Sequence, residues 1–292
     1  MKISNNNYVD LSKIFSPTII KELIKNGHSY KLKNILSELG VLPQINLKNT
    51  VSTLFDEIYK VLKINYRNEY IFKNTLIKNI LLGKHTLNTA FMINECAVGN
   101  SKADCVIFNG TSTVYEIKSE YDTFLRLSNQ INDYKKAFEY VYIVIPDKSI
   151  DKLKNHLDDD YIGIMQLNKN NTITKIRNAK SNKQTFDKEV IFNLLRKKEY
   201  IKIIQKKYGI IPDMPNTKIY SYCKNLFFAL EIDTIHNEVI SILKERGNDK
   251  LLKEVISNTP YSLKALSLQL KLTKKEKQDF LNLLNKEIQH II

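Results

Sequence analysis

Along the first 83 residues the apolar positions recur at spacings of three and four. In SPTIIKELIKNGHSYKLKNILSELG, and again in TVSTLFDEIYKVLKINY, this places Ile, Leu and Val on one side of a helix, with Ser16-Pro17 a start signal and Gly40 a stop. A further helix is expected over about 69–82, ahead of Gly83. At Ala90 the period changes. The runs AFMINECAV, ADCVIFN, TVYEIKS and VYIVIP are short, rich in β-branched and aromatic residues, and bounded by Gly, Asn, Ser or Pro, which is how strands read. Between the third and fourth runs, Phe124, Leu127, Ile131, Tyr134, Phe138 and Val141 form one continuous helical stripe. The order is β-β-β-α-β. YIGIMQL and TITKI add a hairpin across the turn NKNN, and from about Thr185 the pattern is helical to the end.

Composition then bounds the class. With 292 residues, 43% hydrophobic and 26% charged, the chain has enough apolar material for a packed core, so disorder throughout is excluded. No run approaches the ~18 apolar residues that span a bilayer, and the start MKISNNNYVDLSK lacks the apolar stretch of a signal peptide. A cytoplasmic address without a membrane partner is the expectation. Cys96, Cys105 and Cys223 lack metal-site spacing and read as small buried hydrophobes. The formal net charge of +14 suits a polyanion, but charge alone does not choose between nucleic acid and an anionic surface. Its distribution is uneven: residues 1–83 carry 12 basic and 6 acidic side chains, 84–180 carry 13 and 12, and 181–292 carry 20 and 13. Three regions follow: a helical N-terminal region over 1–68, an α/β core over 69–180 and a basic helical C-terminal region over 181–292.

The nearly neutral core holds the candidate chemistry. Asp104 lies in the second strand run, and Glu116 and Lys118 in the third. Strand alternation puts Glu116 and Lys118 on one face and Tyr115 and Ile117 on the other, and an adjacent strand brings Asp104 beside Glu116. Two carboxylates on neighbouring strands make a hard oxygen site suited to Mg²⁺ or Mn²⁺. A lysine two residues on can align a metal-bound water, which is the equipment for hydrolysing a phosphodiester. On the helix that follows, Gln130 and Tyr134 sit one turn apart and face the same way. Other chemistries lack support. The five histidines are dispersed, His85 being an ordinary loop residue; no phosphate loop, GxGxxG or GxSxG is present, and Asp158–Asp160 reads as a solvated loop.

Asp104, followed by Glu116-Ile117-Lys118 and then Gln130-x-x-x-Tyr134, resembles the PD-(D/E)xK nuclease superfamily. The last pair is similar to the QxxxY motif of its RecB and phage lambda exonuclease branch. The stretch from Ala103 to Pro146 is also similar to a bacterial family of poorly characterised proteins built on this core. The resemblance covers about residues 70–180, and the proline of the motif's name is absent, Lys102-Ala103 preceding Asp104. It implies a restriction-endonuclease-like α/β core with a mixed sheet, flanked by helical N- and C-terminal regions. It further implies metal-dependent hydrolysis of DNA, RNA being the lesser candidate, in repair or in defence against foreign DNA. Asp104 and Glu116 would hold the metal with Glu95, the upstream glutamate; Lys118 would orient the attacking water; Gln130 and Tyr134 would support the site or steady a phosphate. A homodimer would suit duplex cleavage. The alternative is a non-catalytic nucleic-acid-binding or regulatory protein that keeps the nuclease fold as a scaffold.

The C-terminal region adds two expectations. Arg196, Lys197, Lys198, Lys202, Lys206 and Lys207 fall at spacings that put several of them on one helix face, a stripe for phosphate contacts. SLKALSLQLKLTKKEKQDFLNLL reads as helix, break at Leu272-Thr273 and helix, with Thr273 as cap. That shape is reminiscent of a helix-turn-helix, and packing or self-association is the other use of the same helices.

Overall fold

The computed structural model describes residues 1–3, 7–83, 89–209 and 214–292. The fold is mixed α/β. Among the described residues five α-helices precede the sheet: α1 (Tyr8–Ser12), α2 (Pro17–Asn26), α3 (Tyr30–Glu38), α4 (Val51–Asn65) and α5 (Glu69–Leu76). The strands are β1 (Phe91–Val98), β2 (Ser101–Phe108), β3 (Ser112–Ile117), β4 (Tyr140–Pro146), β5 (Gly163–Leu167) and β6 (Ile173–Arg177), with α6 (Leu127–Lys135) between β3 and β4 and α7 (Ile150–Lys154) between β4 and β5. Then come α8 (Lys188–Phe192), α9 (Lys197–Tyr208), α10 (Asn216–Phe228), α11 (Ile232–Glu245), α12 (Lys250–Asn258), α13 (Lys264–Gln269) and α14 (Lys274–Leu284). Among the described residues no helix is long and apolar enough to cross a membrane.

Element type divides the chain into consecutive regions, whereas compactness divides it otherwise. Met1–Ile77 and Asp249–Ile292 make one unit, and Lys78–Asn248 the other. In the first unit the helix signals act as read: the Ser16 side chain accepts from the Ile19 backbone ahead of Pro17, and Gly40 sits past α3 in the left-handed region at φ 65°. The chain ends meet through main-chain bonds, Val51 N–H to the Lys286 carbonyl at 2.9 Å and Ser29 N–H to that of Ile291 at 3.0 Å. Phe55, Ile58 and Leu62 of α4 share one core with Phe280 and Leu284 of α14. The expected helix, break and helix are present as α13 and α14, and Thr273 forms a capping box with Glu276.

In the second unit each β-rich run becomes a strand, in the order β1-β2-β3-β4-β5-β6. β1, β2 and β3 pair antiparallel, β3, β4 and β5 parallel, and β6 closes the edge antiparallel. On one face Val106, Phe108, Val114, Val141 and Ile143 pack with Leu127 and Ile131 of α6 and with Phe138 just past its end. On the other, Tyr115 and Tyr142 stack with ring centroids 5.7 Å apart. Gly163 lies under that Tyr142 ring, where an added Cβ would come within 2.3 Å of it, so only glycine fits.

α11 is tied to the sheet by a buried polar contact. His236 Nε2 lies 3.0 Å from Ser112 Oγ, which accepts from the Glu139 N–H at 2.9 Å. Burial pushes the His236 pKa below its ordinary 6.5 despite the opposing charge of Glu139. The unfolded chain therefore protonates first as pH falls. The stability that neutral His236 contributes is complete above about pH 6.5 and is lost as pH drops toward the depressed folded value. Urea midpoints are expected to fall between pH 7.5 and pH 5.5, and to fall less in His236→Gln; equal pH dependence in the two proteins would contradict this.

Three of the six basic residues of the α9 stripe are ion-paired. Lys202 pairs with Glu245, and Lys206 and Lys207 both with Glu238, at 2.6 to 2.8 Å. α11 packs beside α9 and presents two carboxylates to these three lysines, which offsets part of the charge of the stripe.

Candidate active site

The parity that buries Val106 and Val114 under α6 carries Asp104, Glu116 and Lys118 to the same face, beyond the apolar rows. Register continued one residue past Cys105 opposite Tyr115 sets Asp104 against Glu116. There the Asp104 carboxylate takes over from the ladder: its Oδ2 accepts the Ile117 N–H at 2.8 Å. Lys118 prolongs β3 beside β4, its N–H bonding to the Val144 carbonyl at 2.9 Å.

Glu116 is 2% exposed and Lys118 8%, so neither charge has bulk water to stabilise it. Partners replace the water. Glu116 Oε1 accepts from Lys118 Nζ at 2.9 Å and from Gln130 Nε2 at 2.6 Å, while Oε2 accepts the Tyr134 hydroxyl at 2.7 Å. Lys118 Nζ also donates to Gln130 Oε1 at 2.9 Å. This sets the Gln130 amide, because its oxygen must face the ammonium and its nitrogen the carboxylate. Burial, then the charges of Glu116 and Asp104, push the Tyr134 phenol far above its ordinary range, so it remains a donor. One helical turn thus delivers two side chains that hold both oxygens of one glutamate.

The sequence-predicted residues separate into groups. Glu116, Lys118, Gln130 and Tyr134 form one network, and Asp104 is close enough for its charge to act on Tyr134. Glu95 is half-buried and ion-pairs with Lys102. It is also one of two non-glycine residues with positive φ among the described residues, at 55° inside β1, a left-handed position that costs an L-residue roughly 1–2 kcal/mol. His85 lies outside the described residues. Among the described residues no group of three or more His, Cys, Asp and Glu is placed to hold a metal ion. Asp104 and Glu116 remain as hard-oxygen donors, and one or two carboxylates with water is a common Mg²⁺ environment. The donor chemistry of the two carboxylates fits such a cation, which would have to share Glu116 with Lys118, Gln130 and Tyr134.

Sequence reading missed two supporting carboxylates. Asp122 accepts from the Ser119 N–H at 2.8 Å and from its hydroxyl at 2.5 Å, fixing the turn that leaves Lys118; the Ser-x-x-Asp spacing was its signal. Asp133 on α6 accepts from Asn100 N–H at 3.1 Å and Ser101 Oγ at 2.7 Å, which ties the β1–β2 turn to the helix. Gly99 in that turn has φ 55°, and a Cβ there would come within 2.7 Å of Asp133 Oδ1.

Comparison with known proteins gives a consistent match. A family profile described as bacteriophage P4 protein cII matches residues 62–268, a span that contains every residue of the site. One relative, Protein cII of Enterobacteria phage P4, is 28% identical over 197 residues, which is 64% of this chain and 72% of the relative. No solved structure matches the chain.

Proposed function

The chain belongs to the bacteriophage P4 protein cII family, and for this member of it we propose a metal-dependent nuclease acting on DNA, its sheet and α6 forming a restriction-endonuclease-like core. The observation that carries the reading is the buried network of Glu116, Lys118, Gln130 and Tyr134 beside Asp104. A fold needs no buried lysine and glutamate at a strand end, and an apolar pair of similar volume often serves stability as well. Asp104 and Glu116 would hold Mg²⁺ or Mn²⁺, which supplies charge neutralisation at the phosphate and an acidified water. Lys118 has three N–H donors, of which Glu116 and Gln130 take two, so the third can orient a water or a phosphate oxygen. Gln130 and Tyr134 are positioning residues that act through Glu116.

A second reading is favoured by the same network seen from the other side. Both oxygens of Glu116 already have partners, which suits a non-catalytic nucleic-acid-binding protein on this scaffold. A labelled panel of single-stranded, duplex and branched DNA and of RNA, incubated with Mg²⁺ or Mn²⁺, separates the two. Cleavage of DNA that is lost in Glu116→Ala supports the nuclease; nucleic-acid affinity with neither cleavage nor heat of Mg²⁺ binding supports the scaffold.

A further inference from the structure

The helix, break and helix near the end of the chain take no part in the candidate active site. α13 and α14 are separated by the four residues 270–273, and α12 packs against both. Val255 of α12, Leu266 of α13, Leu270 of the turn, and Phe280 and Leu284 of α14 share one core. A helix held in this way has one side committed to packing and the other free. In a helix-turn-helix it is the free side of the second helix that meets DNA.

The free side of α14 has a single chemistry. At 3.6 residues per turn, Lys274, Lys275, Gln278 and Asn282 fall within an arc of about 100°. All four are exposed, and none of these side chains is engaged by another described residue. Lys277, on the flank, is held by Asp249, the cap of α12. Of the two acidic residues of α14, Glu276 lies on the opposite side and accepts the Thr273 N–H at 2.7 Å in the capping box, and Asp279 sits half-buried at the edge of the arc. The arc therefore holds two cations, two amides and no carboxylate. Lys271 in the turn and Lys286 just past α14 are exposed and make no ion pair among the described residues, so they add positive charge at either end.

Charge and shape name the occupant. Lysine is a point cation for phosphate, and Gln and Asn side chains can donate and accept together at an adenine edge in the major groove. A helix about 10–12 Å across fits the ~12 Å major groove of B-DNA, whereas the narrow major groove of duplex RNA does not admit side chains. A second copy of the chain would bring the same lysines, and the arc has no apolar side chain to bury against it. We infer that α14 docks in the major groove of duplex DNA, with Lys274 and Lys275 on phosphates and Gln278 and Asn282 toward base edges. The surface belongs to the unit formed by Met1–Ile77 and Asp249–Ile292, whereas Glu116 and Lys118 belong to the other, so the inference does not rest on hydrolysis.

The test is fluorescence anisotropy of a labelled DNA duplex of about 20 base pairs, roughly two helical turns, with the full chain in EDTA over a salt series. Lys274→Ala/Lys275→Ala is expected to make the slope of log affinity against log salt shallower by about 1.8, about 0.9 for each phosphate contact on B-DNA, while Lys274→Arg/Lys275→Arg keeps it. Gln278→Glu, which sets a carboxylate among the phosphates, is expected to bind about tenfold or more weakly. In a dimethyl sulfate footprint, guanine N7 in the major groove is expected to be protected by the parent and adenine N3 in the minor groove to stay reactive. All three positions are exposed, and Thr273 and Glu276, which cap the helix, are untouched, so folding is not at stake. An unchanged slope in the double alanine variant, protection of adenine N3 in place of guanine N7, tighter binding of duplex RNA, or no binding of duplex DNA by the parent would each overturn the inference. Because no cutting takes place in EDTA, the outcome is independent of the nuclease assay. Weakened variants without cleavage in Mg²⁺ leave α14 assigned and the nuclease refuted, and cleavage with an unchanged slope does the reverse.

Discussion

Lys118→Met is expected to lower the stability of the chain by about 3–5 kcal/mol, the largest single effect on folding in the site. Methionine keeps the length and apolar stem of the side chain but removes its charge. Glu116, 2% exposed, is then left as a buried carboxylate with only the Gln130 and Tyr134 donors. Those are neutral hydrogen bonds, which offset only part of the cost of a buried charge. Removing the charge as well should restore most of the loss, so Lys118→Met/Glu116→Gln is expected to be markedly more stable than Lys118→Met alone. Urea denaturation of the parent, both single variants and the double variant gives the coupling energy. A loss below about 1 kcal/mol in Lys118→Met, or additive single effects, would mean that the pair is hydrated and the network is not the tight unit described.

On the proposed nuclease reading, Asp104→Asn is expected to reduce metal-dependent cleavage by about 10²-fold or more with little change in folding, since loss of a carboxylate that would hold the metal forfeits several kcal/mol of charge stabilisation. The asparagine carbonyl can still accept the Ile117 N–H, so the strand end is kept. What goes is one negative charge from a site built of two. The effect should fall on kcat, with the affinity for DNA in EDTA equal to the parent's or slightly higher, because a like charge near the phosphate has been removed. Near-parent cleavage by a folded Asp104→Asn protein would take Asp104 out of the site.

How much of this could be read from the chain depends on the range of the interaction. The six strands and α6 are legible because β-branched and aromatic runs between turn residues, and three-four spacing, are local signals. The strand period of two put Glu116 and Lys118 on one face, and the one-turn spacing of Gln130 and Tyr134 put those two on one side of α6; that both reach one carboxylate is seen only in the fold. The return of Asp249–Ile292 to Met1–Ile77 has no local signature, since it rests on a core shared between distant helices and on main-chain bonds such as Val51 to Lys286 that any residues can make. The ion pairs that hold three of the α9 lysines depend on which helix packs alongside, which a helical wheel of α9 alone does not show. Glu95 was legible as an acidic residue upstream of Asp104, but its left-handed backbone was not, because glutamate carries no preference for that region. Asp133 resembled any polar residue beside a helical stripe; its function comes from a turn more than 30 residues away in the chain.

The most direct measurement is cleavage by the purified parent chain of end-labelled single-stranded and duplex DNA in Mg²⁺ or Mn²⁺, with EDTA and Glu116→Ala as controls. The account predicts fragments that require the metal and vanish in EDTA and in the variant. Intact DNA and RNA across the whole panel, or cutting that persists unchanged in Glu116→Ala, would contradict it.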